Sequence, residues 1–205
     1  MKILFFDTET TGLNHNVNGI HQMSGYIVID NIIVDSFDIK FRPFEGCICE
    51  KAAFEVTGLT EEEVLNREVS ENDAYNQFKS MLEKYVKKFD KRDKFFVLGY
   101  NINFDINFLN ELFERNNDKY LFSYIFGNPI DVMSLAGQKL MSLRPTMVNF
   151  KQGTVAKMLG IELEEDKLHD ALYDVWVCVR IYNLLTNTKI KFQDELSTNN
   201  QMEWE

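Results

Sequence analysis

The chain contains little cysteine and no long apolar run. Its three cysteines, Cys47, Cys49 and Cys178, form an odd set without the spacing of a metal motif or a redox pair. This pattern indicates reduced thiols in a cytoplasmic protein. No stretch of about eighteen apolar residues occurs, so we expect no transmembrane helix and no membrane partner. The N-terminal segment reaches acidic residues too soon for a signal peptide.

Basic residues are too few to balance the acids. The 205 residues include 32 Asp and Glu against 22 Lys and Arg, which gives a net charge of -10. Proteins that bind long duplexes over their whole surface rely on many Lys and Arg contacts to phosphates. The composition argues against that class, but it is compatible with an enzyme that holds a few nucleotides in a pocket. A hydrophobic fraction of 45% with 17 Phe is ample for a core.

Hydrophobic periodicity indicates an α/β fold. Three leading strands joined by tight turns predict an antiparallel meander, with Asp30-Asn31 as a hairpin turn. Later strands separated by helices predict parallel additions to the same sheet. Strands are predicted at residues 2–7, 26–29, 32–41, 95–100 and 130–133. Helices are predicted at residues 72–89, 104–115, 134–143, 153–159 and 171–185.

The segments between these elements are predicted from polar and turn-forming residues. Residues 8–19 and 43–60 are expected to be loops. Thr60 and Glu63 have the spacing of a capping box and predict another helix start. We expect one domain over residues 1–187, followed by a loose polar tail over 188–205.

Four acids occupy positions where a negative charge needs compensation. Asp7 and Glu9 are two residues apart at the end of the first strand, so the period of a strand places both on one face. Asp105 and Asp174 each share the apolar face of a predicted helix. Burying an unpaired carboxylate costs on the order of several kcal/mol. Solvated loop positions or a helix dipole would explain single acids, whereas the set fits a metal site better.

One histidine accompanies these acids. His169 lies five residues before Asp174, a spacing that does not place two side chains on one helix face. We therefore predict that His169 lies on the loop that enters the last helix, at the rim of the site. Ala171 shares the face of Asp174, and its small side chain would allow the helix to approach the sheet closely.

Three segments resemble the motifs of one enzyme family, in the same order. Residues 7–13 read DTETTGL, residues 101–105 read NINFD, and residues 169–174 read HDALYD. These segments are similar to the D-x-E-T-T-G, N-x-x-F-D and H-x-A-x-x-D motifs of the DnaQ-like exonucleases, DEDDh branch. The resemblance covers about residues 1–186. Two differences are Gln22, where many relatives have a glutamate, and a longer segment at residues 139–153.

The resemblance implies a ribonuclease H-like fold with a five-stranded mixed sheet flanked by helices. It implies a 3′→5′ exonuclease that releases nucleoside 5′-monophosphates from single-stranded nucleic acid, with His169 as general base. Two divalent cations, Mg²⁺ or Mn²⁺, would be held by oxygen donors. The implied metal ligands are Asp7, Glu9, Asp105 and Asp174. The implied substrate contacts are Thr10, Thr11, Gly12, Leu13, Asn103 and Phe104, although Phe104 could equally belong to the core.

Several alternatives stay open at the level of the sequence. The substrate is expected to be the 3′ end of single-stranded DNA, and an oligoribonuclease-like activity on RNA is the first alternative. A non-catalytic nucleic-acid-binding or polymerase-binding module on the same fold is the second. A polymerase partner is compatible with either. An acidic protein whose carboxylates form surface salt bridges is the third, and it does not explain why Asp105 and Asp174 face apolar stripes.

Overall fold

The computed structural model describes residues 1–164 and 170–193. Within them, six strands and seven α-helices follow one another along the chain. The strands are β1 (Lys2–Thr10), β2 (Ile20–Ile29), β3 (Ile32–Lys40), β4 (Phe96–Gly99), β5 (Ile130–Asp131) and β6 (Lys191–Phe192). The helices are α1 (Lys51–Thr57), α2 (Glu61–Leu65), α3 (Glu71–Tyr85), α4 (Asn103–Arg115), α5 (Val132–Lys139), α6 (Gln152–Met158) and α7 (Ala171–Thr186).

One mixed sheet organises the molecule, with the strand order β5-β4-β1-β2-β3-β6. The strands β1, β2 and β3 form an antiparallel meander. Strand β4 is parallel to β1, and β5 is parallel to β4. The predicted meander with two parallel additions is therefore confirmed, and it places β1 at the centre of the sheet.

The expected count of five strands is wrong, because β6 extends the sheet beyond β3. The two residues of β6 pair in parallel with Ile32 and Ile33. The side chain of Asn183 bonds both backbone groups of Ile190, and Ile190 is buried. This anchoring draws part of the predicted tail into the sheet, and the polar composition of the segment did not indicate it. The domain boundary at residue 187 stays a prediction.

Local sequence signals account for several element ends. Asp30 and Asn31 have positive φ values of 50° and 68°, as a primed hairpin turn requires, so the predicted turn is confirmed. Thr60 and Glu63 form the predicted capping box at the start of α2. The capping box satisfies backbone N–H groups that the start of the helix would leave unpaired.

Other predicted boundaries are wrong. Strand β1 continues to Thr10 rather than ending at Asp7, because residues 7–10 pair with the early part of β2. The same pairing starts β2 at Ile20 rather than at residue 26. The segment 43–60, predicted to be irregular, contains α1. Helix α3 ends at Tyr85, since Val86 is already extended.

Two apolar clusters cover the two faces of the sheet. Leu4 and Phe6 of β1 pack with α3 and α4 on one face, and Ile3 and Phe5 pack with α5, α6 and α7 on the other. The alternation of neighbouring residues follows the two-residue period of a strand. No helix in the described part of the chain is long and apolar enough to cross a membrane.

Phe78 of α3 provides a test of the first cluster. It is fully buried, and its ring packs near the rings of Phe6, Phe37 and Phe113. We expect Phe78→Ala to lower the free energy of unfolding by about 3–5 kcal/mol, since it removes buried area and leaves a cavity. Urea denaturation measures the loss, and the exposed Met141→Ala should change stability by less than about 0.5 kcal/mol. Equal effects of the two changes would contradict this assignment of the core.

Candidate active site

Asp7 and Glu9 lie near the C-terminal end of the central strand. Both belong to β1, where Asp7 pairs with Ser24 and Glu9 with Gln22 of β2. Because side chains alternate along a strand, Asp7 and Glu9 lie on the same face as Ile3 and Phe5, which pack against α7. The prediction that they share one face is therefore confirmed, because the strand extends past both.

Asp105 enters from the opposite face of the sheet. It lies in the first turn of α4, directly after β4, and it is 3% exposed. One carboxylate oxygen, Oδ1, accepts hydrogen bonds from the backbone N–H of Thr8 (2.9 Å) and from its hydroxyl (2.7 Å). The predicted inward orientation of Asp105 is confirmed. Thr8, which sequence reasoning did not single out, ties the acid to the central strand.

Asp174 lies in the first turn of α7, which packs on the other face. Asp170 caps this helix by accepting a hydrogen bond from Tyr173. Val177, Cys178 and Ile181, predicted on the same side as Asp174, are buried. Asp174 itself is partly buried, and its backbone oxygen accepts a bond from the side chain of Gln152.

The four carboxylates share one electrostatic environment. Burial raises the pKa of Asp7 well above its usual value, and the charges of Asp105, Glu9 and Asp174 raise it further. Burial, followed by the charge of Asp174, raises the pKa of Glu9 to about 8. Burial also raises the pKa of Asp105 to about 7, against the lowering effect of its bonds from Thr8. A positive charge among them would favour the ionised forms of all four.

The donor chemistry fits a hard divalent cation. The four acids offer only oxygen, and burial raises the pKa of the nearby Cys178 thiol, which keeps it protonated. Within residues 1–164 and 170–193, no three or more His, Cys, Asp or Glu side chains are arranged so that they could hold a metal ion as they stand. A cation would therefore have to draw the carboxylates together.

The loop after β1 is braced by the segment that precedes α1. The Thr11 hydroxyl donates to the backbone oxygen of Ile48 (2.7 Å), and the N–H of Glu50 donates to the oxygen of Thr11 (2.7 Å). Gly12 leaves no room for a side chain, because a Cβ there would lie 2.4 Å from both Asn18 Nδ2 and Glu50 Oε1. The loop is thus held in one shape next to Glu9.

A cleft of about 360 Å³ lies between this loop and α1. It brings together four of the predicted substrate contacts, Thr10, Gly12, Leu13 and Phe104, whereas Thr11 is buried beneath the loop and Asn103 is exposed outside the cleft. Leu13 is 78% exposed at its rim. The other lining residues are Thr8, Glu9, Glu50, Ala52, Ala53 and Val56.

Sequence reasoning missed the wall that α1 contributes. Residues 54–60, FEVTGLT, resemble the N-x-x-T-G-I-T segment of the DnaQ-like exonucleases, but this resemblance did not indicate a helix that begins at Lys51. Phe104 lines the cleft and also packs against Phe108 with ring centroids 4.8 Å apart, a position that is compatible with either predicted role. His169 lies outside the described residues, so its predicted role stays a prediction.

The sheet and its helices define a ribonuclease H-like fold. The chain belongs to the exonuclease family, whose model matches residues 4–182. Among solved structures, a zinc-bound complex of Escherichia coli exonuclease I with single-stranded DNA has a TM-score of 0.73 at 22% identity. The match covers 96% of this chain and 43% of that chain, and at this identity it shows the fold alone.

The curated relatives include two kinds of protein. A PolC-type DNA polymerase III of Pediococcus pentosaceus is 27% identical over 174 residues, which are 84% of this chain and 10% of that protein. A ribonuclease T of Shewanella frigidimarina is 28% identical over 190 residues, which are 88% of this chain and 80% of that protein. The chain thus spans a tenth of the polymerase and most of the ribonuclease.

The raised carboxyl pKa values predict a stability that falls with rising pH when divalent cations are chelated. Glu9 has a pKa of about 8 when folded and about 4.3 when unfolded, so between these values the folded state binds more protons. Burial and the charge of Arg67 lower the pKa of His21 to about 4. This lowered pKa makes the stability rise with pH, but only below about pH 6.5.

Between about pH 6.5 and 8 we expect the free energy of unfolding to fall by on the order of 1–2 kcal/mol. Urea denaturation in chelator at both pH values measures the change. Glu9→Gln should make the decline shallower, because the amide does not titrate while Asp7 and Asp105 still release protons. An equally steep decline in that variant would show that other groups cause it.

Proposed function

We propose that this protein is a 3′→5′ exonuclease that hydrolyses single-stranded nucleic acid with the help of divalent cations. The observation that carries the proposal is the approach of four carboxylates from β1, α4 and α7 beside a cleft next to the end of the central strand. Membership of the exonuclease family supports it. The raised pKa values of Asp7, Glu9 and Asp105 are difficult to explain by surface salt bridges.

Asp7, Glu9, Asp105 and Asp174 would hold the cations, for which we propose two Mg²⁺ or Mn²⁺ ions. Bound there, such ions would supply charge stabilisation to the attacking and leaving oxygens of a phosphodiester. Thr8 fixes one oxygen of Asp105 through two hydrogen bonds, so this ligand would be pre-oriented. Asp7 belongs to the central strand, between the acids of the two faces.

His169 would act as the general base that takes a proton from the attacking water. An imidazole titrates near neutrality, so it can accept a proton and return it to solvent at physiological pH. Its position directly before Asp170, the cap of α7, keeps it within a few residues of Asp174 along the chain.

The cleft would hold the terminal nucleotide. Leu13 and Phe104 would offer apolar and aromatic surfaces to a base, and Ala52, Ala53 and Val56 of α1 add small apolar side chains to the lining of the cleft. The loop around Gly12 presents backbone groups close to Glu9, where a terminal 3′-hydroxyl would lie. Thr11 would support this loop from beneath, and Asn103 would contact the adjoining nucleotide from outside the cleft.

Replacement of Asp7 by Asn tests the metal-dependent reaction. We expect at least about a hundredfold slower hydrolysis of single-stranded DNA with Mg²⁺ or Mn²⁺, because a charged ligand is lost while the shape is kept. Release of mononucleotides from 3′-labelled and 5′-labelled strands measures the rate and the direction. Asp35→Asn on β3, an acid bonded to Lys84 and Tyr85, is the matched control and should be active. Wild-type rates in folded Asp7→Asn protein would refute the mechanism.

His169→Ala separates proton transfer from metal binding. We expect kcat to fall by about 10²–10⁴-fold, since a general base contributes that much. The Mn²⁺ affinity, measured by calorimetry, should stay close to the wild-type value. A parallel loss of metal affinity and turnover would show that His169 is not simply a base.

Hydrolysis of DNA and RNA oligonucleotides of the same sequence would show which sugar the substrate contains. We propose DNA as the substrate, and the ribonuclease T relative that this chain covers over most of its length favours RNA as the second candidate. Discrimination rests on contacts near the 2′ position. Binding of either strand without cation-dependent hydrolysis would instead identify a non-catalytic module.

A further inference from the structure

A basic loop stands at the end of the sheet opposite the carboxylates. Residues 84–94 contain six of the chain's 22 Lys and Arg residues and only two acids, in a protein of net charge -10. The segment includes the last two residues of α3, where Lys84 pairs with Asp35, and it leads into β4. Lys2, at the start of β1, contacts it through the backbone oxygen of Tyr85 and the carboxylate of Asp93.

Phe89 is held in this loop in an unusual conformation. Its φ is 72°, in the left-handed region that non-glycine residues rarely adopt, and its side chain is 63% exposed. It is the third residue of a turn closed by a bond from Asp90 N–H to Lys87 O (3.0 Å), a position that usually takes glycine when φ is positive. Strain and solvent exposure of a large ring both oppose folding, so they point to a role outside the fold.

Phe89 forms an aromatic platform with Tyr120. The two ring centroids are 5.2 Å apart at a nearly perpendicular angle, and Tyr120 is 53% exposed. The Lys88 Nζ lies 5.4 Å from the Phe89 centroid and 5.1 Å from that of Tyr120. The platform thus combines two exposed rings with a cation in contact with both.

The charges around the platform leave a positive surplus. Asp118 is buried and pairs with Lys79 and Lys88, and the two acids of the loop, Asp90 and Asp93, accept bonds from backbone groups within it. Arg92 lies near Asp90, and Lys94 donates to the oxygen of Phe122.

Two exposed lysines add to the surplus. Lys91 and Lys119 have no salt-bridge partner among the residues that the structure describes. Fixed rings beside such cations offer what single-stranded nucleic acid binds: stacking surfaces for bases and positive charge for phosphates.

We propose that the basic loop and its aromatic platform form a second binding surface for single-stranded nucleic acid, distant from the cleft. The choice of ligand rests on the proposed function. Along β1, Lys2 and Asp7 are separated by roughly 16 Å, at about 3.3 Å per residue. A strand with its 3′ end in the cleft would therefore reach the loop with nucleotides upstream of the terminal one, so that one strand could occupy both surfaces.

Binding of a labelled strand of about 16 nucleotides, in chelator to prevent hydrolysis, tests the surface directly. We expect Phe89→Gly and Tyr120→Ala each to weaken binding about tenfold, because each removes a stacking ring. Lys91→Gln with Lys119→Gln should lower the slope of log affinity against log salt by about 0.7 for each cation removed. Arg180→Gln, on the opposite face and stacked over Trp176 at 4.9 Å, is the matched control and should change neither quantity.

Three outcomes decide the matter. Phe89→Gly should not lower the free energy of unfolding, since glycine relieves the positive φ, and a clear loss of stability would assign the ring a structural role and overturn the proposal. Unchanged affinity in the Phe89 and Tyr120 variants would also overturn it, as would an unchanged salt slope in the double lysine variant. Failure of the proposed function is separate, because these measurements require no hydrolysis.

Discussion

The crowding of negative charge beside the end of β1 is the constraint on which the rest of the structure depends. Asp7 and Glu9 come from the strand itself, while Asp105 and Asp174 arrive from helices on opposite faces of the sheet. Burial and the charges of neighbouring carboxylates raise the pKa values of Asp7 and Glu9, so the folded chain tolerates the group only by retaining protons or by binding cations. A fold that places such a cost at one point must be stabilised elsewhere, and the two apolar clusters provide that stabilisation.

The four acids are held in place by three separate elements, β1, α4 and α7. Strand β1 is buried on both sides, so its end cannot move without disturbing both clusters. Helix α4 is attached to it by the paired bonds from Thr8 to Asp105. Helix α7 begins at the cap formed by Asp170, which places Asp174 in the first turn. The convergence is therefore a property of the chain's topology, in which the parallel neighbours β1 and β4 end at the same edge of the sheet.

Much of this arrangement could be predicted from periodicity, and the remainder depends on distant contacts. The period of two placed Asp7 and Glu9 together, and helical spacing turned Asp105 inward. No local signal showed that β1 would continue to Thr10, because that extension comes from pairing with residues 20–24 of β2. Helix α1 and strand β6 were missed for the same reason. Short elements of two to seven residues are stabilised by the surfaces they dock on rather than by their own sequences.

The distribution of charge also constrains how a polyanion could approach. The acidic end of the sheet repels phosphates unless cations intervene, so affinity for a strand cannot arise there from the protein alone. The cleft offers mainly apolar and backbone surface, which suits one nucleotide but gains little from the phosphates that follow it. In an acidic protein, a compact group of cations and exposed rings at the far end of the same strands would supply the missing attraction. We therefore assign catalysis and the binding of the upstream nucleotides to opposite ends of β1, because one set of side chains cannot both concentrate cations and attract phosphates.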